Sequence, residues 1–174
     1  MKYSAERSYE ILERTPEVLR TLLAGLSDDW TMHNEGPDTF SPYDVVGHLI
    51  HGEKTDWRAR TTMILDHGTA KSFVPFDRFA QFEASKGKTL LELLDEFEVL
   101  RKQNMEWFQS LKLSEADLDK TGLHPALGQV TLRQLLSTWV IHDLTHIAQI
   151  TRVMAKQYKG EMGPWLEFFR IMSF

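Results

Sequence analysis

Cysteine is absent from all 174 residues. That excludes disulfides, thiolate metal ligands, zinc knuckles and a cysteine nucleophile together. No apolar run approaches the length of a membrane span. The opening stretch MKYSAERSYE lacks the apolar core of a secretory leader, so a soluble, cytoplasmic protein is the expectation. A basic excess is missing as well. The net charge is −5 and the pI is near 5.8, which leaves no whole-domain positive field for nucleic acid. No stretch reads as a basic amphipathic membrane helix. Nucleic acid and membrane are therefore set aside as partners, and a small-molecule substrate is expected. Internal repeats, low-complexity linkers and strong strand signals are lacking too.

What is present is an ordinary globular balance, 42% hydrophobic and 26% charged, in a chain long enough for one domain, residues 1–174, with a full core. Four long helical patterns stand out. The first covers about residues 3–26, with Thr15-Pro16 marking a kink or restart and Val18, Leu19, Leu22, Leu23 and Leu26 forming its apolar face. The second runs over 42–67 after the Ser41-Pro42 start signal, and the third over 88–111. The fourth spans 131–158, capped by Thr131. Residues 68–87 read as a long, partly apolar connection laid over the other elements, and TGLHPALGQVT as a turn-rich link. GPWLEFFRIMSF reads as a short apolar helix closing the chain. The expected fold is all-α: a four-helix bundle with short extra helices in the connections and at the C-terminus, its long connections permitting a crossover topology.

The fourth helix contains STWVIHDLTHIAQI, with histidines where leucines belong. Leu132, Leu135, Trp139, His142, His146, Gln149 and Val153 are spaced alternately three and four apart, as in a bundle seam. His142 and His146 therefore face inward one turn apart, a spacing at which two imidazoles can reach one ion. The competing reading is a pair of neutral core histidines satisfied by hydrogen bonds. A third ligand is sought on the second helix. There His51 falls on a charged face with Asp44, Lys54 and Arg58. His48 heads a stripe of small residues, Gly52, Thr55 and Ala59, at the flank of the apolar side. His48 is the better third ligand. Glu53 lies on the greasy side of this helix and needs a partner, either a histidine N–H or an arginine, unless it sits at an exposed packing edge. Asp143 is one step off the seam and is assigned a supporting or surface role. Glu53 and Asp143 are the candidates for a general base. Trp139 is placed as a wall of the site. His33, His67 and His124 are taken as surface or capping residues.

The pairing of VVGHLIHGEKTDW with WVIHDLTHIAQI far downstream resembles the DinB-like (DinB/YfiT) superfamily, and the resemblance covers nearly the whole chain in helix order and spacing. It implies a four-helix bundle, often a homodimer, with a divalent metal held by three histidines, here His48, His142 and His146. It also implies a metal-dependent enzyme, since characterised members include thiol S-transferases and a thiol-dependent isomerase. Three imidazoles without a thiolate suit Zn or Ni. Three protein ligands leave a coordination position for water or substrate, which fits either hydrolase-like chemistry or thiol S-transferase-like chemistry with a low-molecular-weight thiol as cosubstrate. The alternative is a non-catalytic bundle that binds metal or ligand. A lesser alternative reads HDLTH as a zinc peptidase motif with Asp143 in the place of glutamate, which would need Glu161 or Glu167 as a further ligand. A di-iron carboxylate bundle is excluded, because the Glu-x-x-His pairs are absent.

Overall fold

A computed structural model describes residues 1–173 of the chain. Its helices are α1 (Ala5–Leu12), α2 (Thr15–Leu23), α3 (Asp28–Thr31), α4 (Pro42–Thr55), α5 (Trp57–His67), α6 (Ala80–Ser85), α7 (Leu90–Ser110), α8 (Glu115–Leu118) and α9 (Leu132–Lys156). A hairpin of β1 (Thr121–His124) and β2 (Gly128–Thr131) precedes α9. Four rods make up the bundle: α1 with α2, α4 with α5, α7, and α9. The all-α four-helix expectation holds. Helix starts follow local chemistry. Ser41 with Asp44, Thr89 with Glu92 and Thr131 with Gln134 each form a reciprocal capping box.

Two of the rods are broken, and the breaks matter. The first parts between Leu12 and Thr15, as Thr15-Pro16 signals. Pro16 has no N–H, so the Leu12 carbonyl loses its helical donor. Arg101 Nη1 donates to that carbonyl at 2.7 Å instead. On α2 the inward face is narrower than the sequence pattern suggests. Leu19 and Leu23 are fully buried, whereas Val18 and Leu26 are exposed. The second rod was expected to be continuous over 42–67. It breaks at Asp56, whose φ of −110° and ψ of −77° depart from helix. The stripe through His48, Gly52, Thr55 and Ala59 therefore does not persist: Gly52 is buried, but Thr55 and Ala59 face solvent.

The core is in two apolar parts. Leu19, Leu23, Val46, Leu49, Phe97 and Ile150 belong to one. Leu12, Trp57, Met105, Phe108, Leu136 and Trp139 belong to the other. Along three of the rods a polar level separates them. On α4 and α5 it is Glu53, between Ile50 and Trp57. On α7 it is Arg101 and Asn104, between Phe97 and Met105. On α9 it is Asp143, between Trp139 and Ile150.

The turn-rich link proves to be the hairpin, paired Thr121 to Thr131 through His124 to Gly128. Four-residue strands, with Gly122 inside the first and Pro125 directly after it, carry too little alternation to be recognised from sequence. Gly122 is required by packing: a Cβ there would lie 2.7 Å from Ile64 and 2.9 Å from Phe73. The connection over 68–87 does lie on the bundle. Phe73 is buried, its N–H donates to the Leu123 carbonyl at 2.9 Å, and α6 packs on α4. At the C-terminus 3-10 turns occupy Gly163–Phe168 and Arg170–Met172. Leu166 and Ile171 are half-buried, but Trp165, Phe168 and Phe169 stay exposed. Phe174, included in the expected closing helix, lies outside the described residues. No helix among the described residues is long and apolar enough to cross a membrane.

Candidate metal centre

The capping box at Thr131 sets the phase of α9, and the seam spacing then aims His142 and His146 at α4. His48 comes to meet them from α4, where it is buried. His142 Nε2 lies 3.2 Å from His48 Nε2 and 3.1 Å from His146 Nε2. One ligand atom from each of the three residues lies within 4.8 Å of the others, and no other such group of three His, Asp or Glu occurs among the described residues.

This spacing decides between the two readings of the histidines. An imidazole nitrogen has a single in-plane direction for a proton or a lone pair, so His142 Nε2 cannot satisfy two neighbouring nitrogens by hydrogen bonding. Three nitrogens around one tetrahedral ion at ordinary Zn–N distances would lie about 3.3 Å apart. The donor set fits a cation better than it fits a hydrogen-bonded cluster. The protonation state agrees. Burial, with the neighbouring His146 and His142, pushes His48 down to about 3. Burial, with His146 and Arg101, pushes His142 down to about 3. Burial also lowers His146, with Gln149 and Asp143 opposing. All three are neutral near pH 7 and have lone pairs to offer. His146 Nδ1 sits 2.8 Å from Gln149 Oε1, which places the proton on Nδ1 and leaves Nε2 free. His48 Nδ1 and His142 Nδ1 are buried with no hydrogen-bond partner among the described residues. Those two rings are held by packing instead, His48 between Phe40 and Phe76, and His142 against Trp57.

These shifts give a pH dependence for the metal-free protein. A histidine lowered in the folded state is protonated first in the unfolded chain. For His48 and His142 the stabilising effect is complete above pH 6.5 and is lost as pH falls toward 3, by at most about 1.4 kcal/mol per pH unit each, and His146 acts in the same direction. Asp56, pushed up to about 6 by burial from 3.8, acts in the opposite sense between those two values. Three histidines outweigh one aspartate. Urea denaturation of metal-free protein is expected to show stability falling steadily from pH 6.5 to pH 4. A flat profile would contradict neutral, buried imidazoles.

Glu53 and Asp143 turn out to belong to one buried cluster. Arg101, 1% exposed, donates from Nη2 to Glu53 Oε1 at 2.8 Å. It also forms a two-pronged pair with Asp143, at 2.6 Å from Nη1 and 3.0 Å from Nη2. Asn104 Nδ2 donates to Glu53 Oε2 at 2.9 Å, and Trp139 Nε1 to Glu53 Oε1 at 3.1 Å. Of the roles considered for Glu53, the arginine partner is the one present. Asp143 is fully buried rather than at the surface, because it follows Trp139 by one turn on the inward side. Burial works against the Arg101 cation, but Asp143 and Glu53 more than offset it and hold its pKa above the usual value. Trp139 is not a wall of the site. It stacks behind Trp57 at 5.7 Å, and Trp57 is the ring that faces His142.

The three histidines open into a cavity of about 920 Å³. Its far walls are the 68–87 connection, with Phe73, Phe76 and Arg78, and the hairpin, with His124, Leu127 and Val130. Asp56 is the one carboxylate lining it among the described residues, and Arg60 Nε pairs with Asp56 Oδ1 at 2.6 Å. Sequence reasoning passed over Asp56, Arg60 and Arg78. Only the i, i+4 spacing of Asp56 and Arg60 was available as a signal. The remaining histidines lie outside the three-histidine cluster. His124 Nδ1 accepts from the Ala126 and Leu127 N–H groups and caps the hairpin turn. His33 bonds the Asp29 carbonyl, His67 is exposed at the end of α5, and His51 packs against Phe76 outside the cluster.

A four-helix bundle with interrupted rods and three convergent histidines on its second and fourth rods defines a class of candidate metalloproteins. A family model for the DinB superfamily matches residues 11–150, and the chain belongs to that superfamily. Among solved structures, one described as "YfiT from Bacillus subtilis is a probable metal-dependent hydrolase with an unusual four-helix bundle topology" aligns over 92% of this chain and 90% of its own, with a TM-score of 0.74 and 21% identity. At that identity the likeness concerns the fold. No curated protein matches the sequence.

Proposed function

We propose that the protein is a metal-dependent hydrolase acting on a small molecule. The observation that carries this reading is the convergence of three neutral Nε2 atoms, 3.1 and 3.2 Å apart, at the inner end of a roomy cavity. The description of the YfiT structure points the same way. His48, His142 and His146 would hold the ion. A bound Zn²⁺ or Ni²⁺ supplies Lewis acidity that makes a water, or a thiol, a better nucleophile. Three ligands rather than four favour a reactive centre over a structural one.

The chain's own contribution to proton transfer falls to Asp56. Glu53 and Asp143 have their oxygens engaged by Arg101, Asn104 and Trp139. Asp56 instead lines the cavity, and its carboxyl is pushed up to about 6 by burial, with Arg60 opposing. A carboxylate with that affinity is ionised at pH 7 and well matched to accept a proton there.

The test is a panel of esters and amides offered to zinc- and nickel-loaded protein, with and without an added low-molecular-weight thiol. Metal-dependent hydrolysis without thiol is the expected result. Turnover only in the presence of thiol would assign S-transfer instead, and no turnover on either panel would leave a metal-binding bundle. With an active substrate in hand, Asp56→Asn is expected to lower kcat about a hundredfold or more. It should also abolish the acid limb of the pH profile near 6, while metal content stays unchanged. A wild-type pH profile in that variant would remove Asp56 from the mechanism.

A further inference from the structure

The charge of the cavity runs against that of the molecule. The chain carries a net −5, yet the charged residues lining the cavity are two arginines and one aspartate. Arg60 is committed: its Nε pairs with Asp56 and its guanidinium lies over the Phe73 ring at 5.3 Å. Arg78 is not. Its guanidinium carbon lies 5.3 Å from the Phe40 ring centre and 5.0 Å from that of Phe79, and among the described residues no carboxylate pairs with it. The adjacent Asp77 turns its Oδ1 to the Phe79 N–H at 3.0 Å. Phe40 in turn packs against the His48 ring at 5.6 Å. A single aromatic ring thus separates an unpaired guanidinium from the three-histidine centre.

We infer that the substrate is a carboxylate, its anionic group held by Arg78 and its apolar or aromatic body laid against Trp57, Phe73, Phe76 and Leu127. This deepens the proposed function and rests on that reading of the site. Phe40 and Phe79, whose rings stand at 84° to each other, hold the guanidinium at the cavity wall, and the N–H edge of an arginine matches a carboxylate with two parallel hydrogen bonds. One unpaired arginine suits a single negative charge better than the two of a phosphate dianion. The apolar lining gives the remainder of the molecule its burial.

The test is calorimetric titration of zinc-loaded and metal-free protein with phenylacetate, its neutral counterpart phenylacetamide, and phenyl phosphate. The variants are Arg78→Gln and, as a control, Arg58→Gln, whose side chain lies over Trp107 rather than in the cavity wall. Phenylacetate is expected to bind about tenfold or more tightly than the amide. Arg78→Gln should abolish that preference and Arg58→Gln should keep it. The inference is overturned by equal affinity of acid and amide, by no measurable binding of phenylacetate at millimolar concentration, by a preference that survives Arg78→Gln, or by phenyl phosphate binding more tightly than phenylacetate. The two metal states separate this inference from the one beneath it. A preference for acid in protein that takes up no zinc keeps the carboxylate and removes the metal reading. Zinc bound by the histidines with no such preference does the reverse.

Discussion

Replacing His146 with alanine is expected to strip the protein of stoichiometric metal. Elemental mass spectrometry on untagged protein reconstituted with Zn²⁺ or Ni²⁺ should find close to one ion per wild-type chain. The His48→Ala and His146→Ala variants should hold almost none at the same free-metal concentration, with affinity lowered at least about a hundredfold. That bound follows because loss of a mere supporting partner already costs ten- to a hundredfold, and here a ligand itself is lost. His51→Ala should keep its ion, because His51 packs against Phe76 and lies outside the cluster of Nε2 atoms. Stability supplies an independent check. Chelation and His142→Ala should not be additive, since each removes the same interaction. Full metal in His146→Ala, or equal loss in His51→Ala, would dismantle the centre drawn from 3.1 and 3.2 Å contacts. The protein would then have a cluster of core histidines.

Arg101→Met should be the most destabilising substitution at the polar level of the bundle. The guanidinium satisfies Asp143 twice, Glu53 once and the Leu12 carbonyl once. Its removal leaves two carboxylates buried without a counter-charge, which costs about 3–5 kcal/mol. In a chain of this size that corresponds to a fall in Tm of about 10 °C. The cost comes from the stranded charges, so it should be recoverable. Arg101→Met combined with Glu53→Gln and Asp143→Asn is expected to regain a large part of the loss, by the same logic through which apolar replacement of whole buried ion clusters is tolerated. Thermal unfolding of the single and triple variants decides the matter. A single variant as stable as wild type would mean the cluster holds nothing together. The site should register the change too. Glu53 anchors Trp139 Nε1, Trp139 stacks on Trp57, and Trp57 faces His142. The Arg101 cluster thus lies two rings behind the imidazoles, and metal affinity in Arg101→Met should weaken along with the fold.

The parts of this protein that could be read from the chain are those governed by local spacing. Alternating intervals of three and four from Leu132 to Val153 place side chains on one face of any helix they form. His142 and His146 were therefore legible as an inward pair without a structure. Start signals at Ser41 and Thr131 work through hydrogen bonds within one turn, and both boundaries were readable. The kink at Thr15-Pro16 was legible because proline lacks a donor. Asp56 breaks its rod with no glycine or proline beside it, so nothing local announced the break. Nor did the short strands of the hairpin exceed the turn signals around them.

What only the tertiary structure decided is everything that depends on residues far apart in the chain finding each other. Glu53 needed a partner on energetic grounds alone, but that the partner is Arg101, 48 residues away, follows from how α4 and α7 pack. Asp143 looked peripheral because a single helix wheel does not show that α7 presents a buried cation at its level. The cavity is bounded by a connection and a hairpin that carry no periodic signature, so Asp56, Arg60 and Arg78 acquire meaning only when those segments close over the histidines. Sequence by itself determined the all-helical class, the seam and two of its three inward histidines, since helix periodicity is a property of consecutive residues. The meeting of the third histidine with the other two, the pairing of the buried charges and the sign of the cavity were decided by packing, which no interval along the chain encodes.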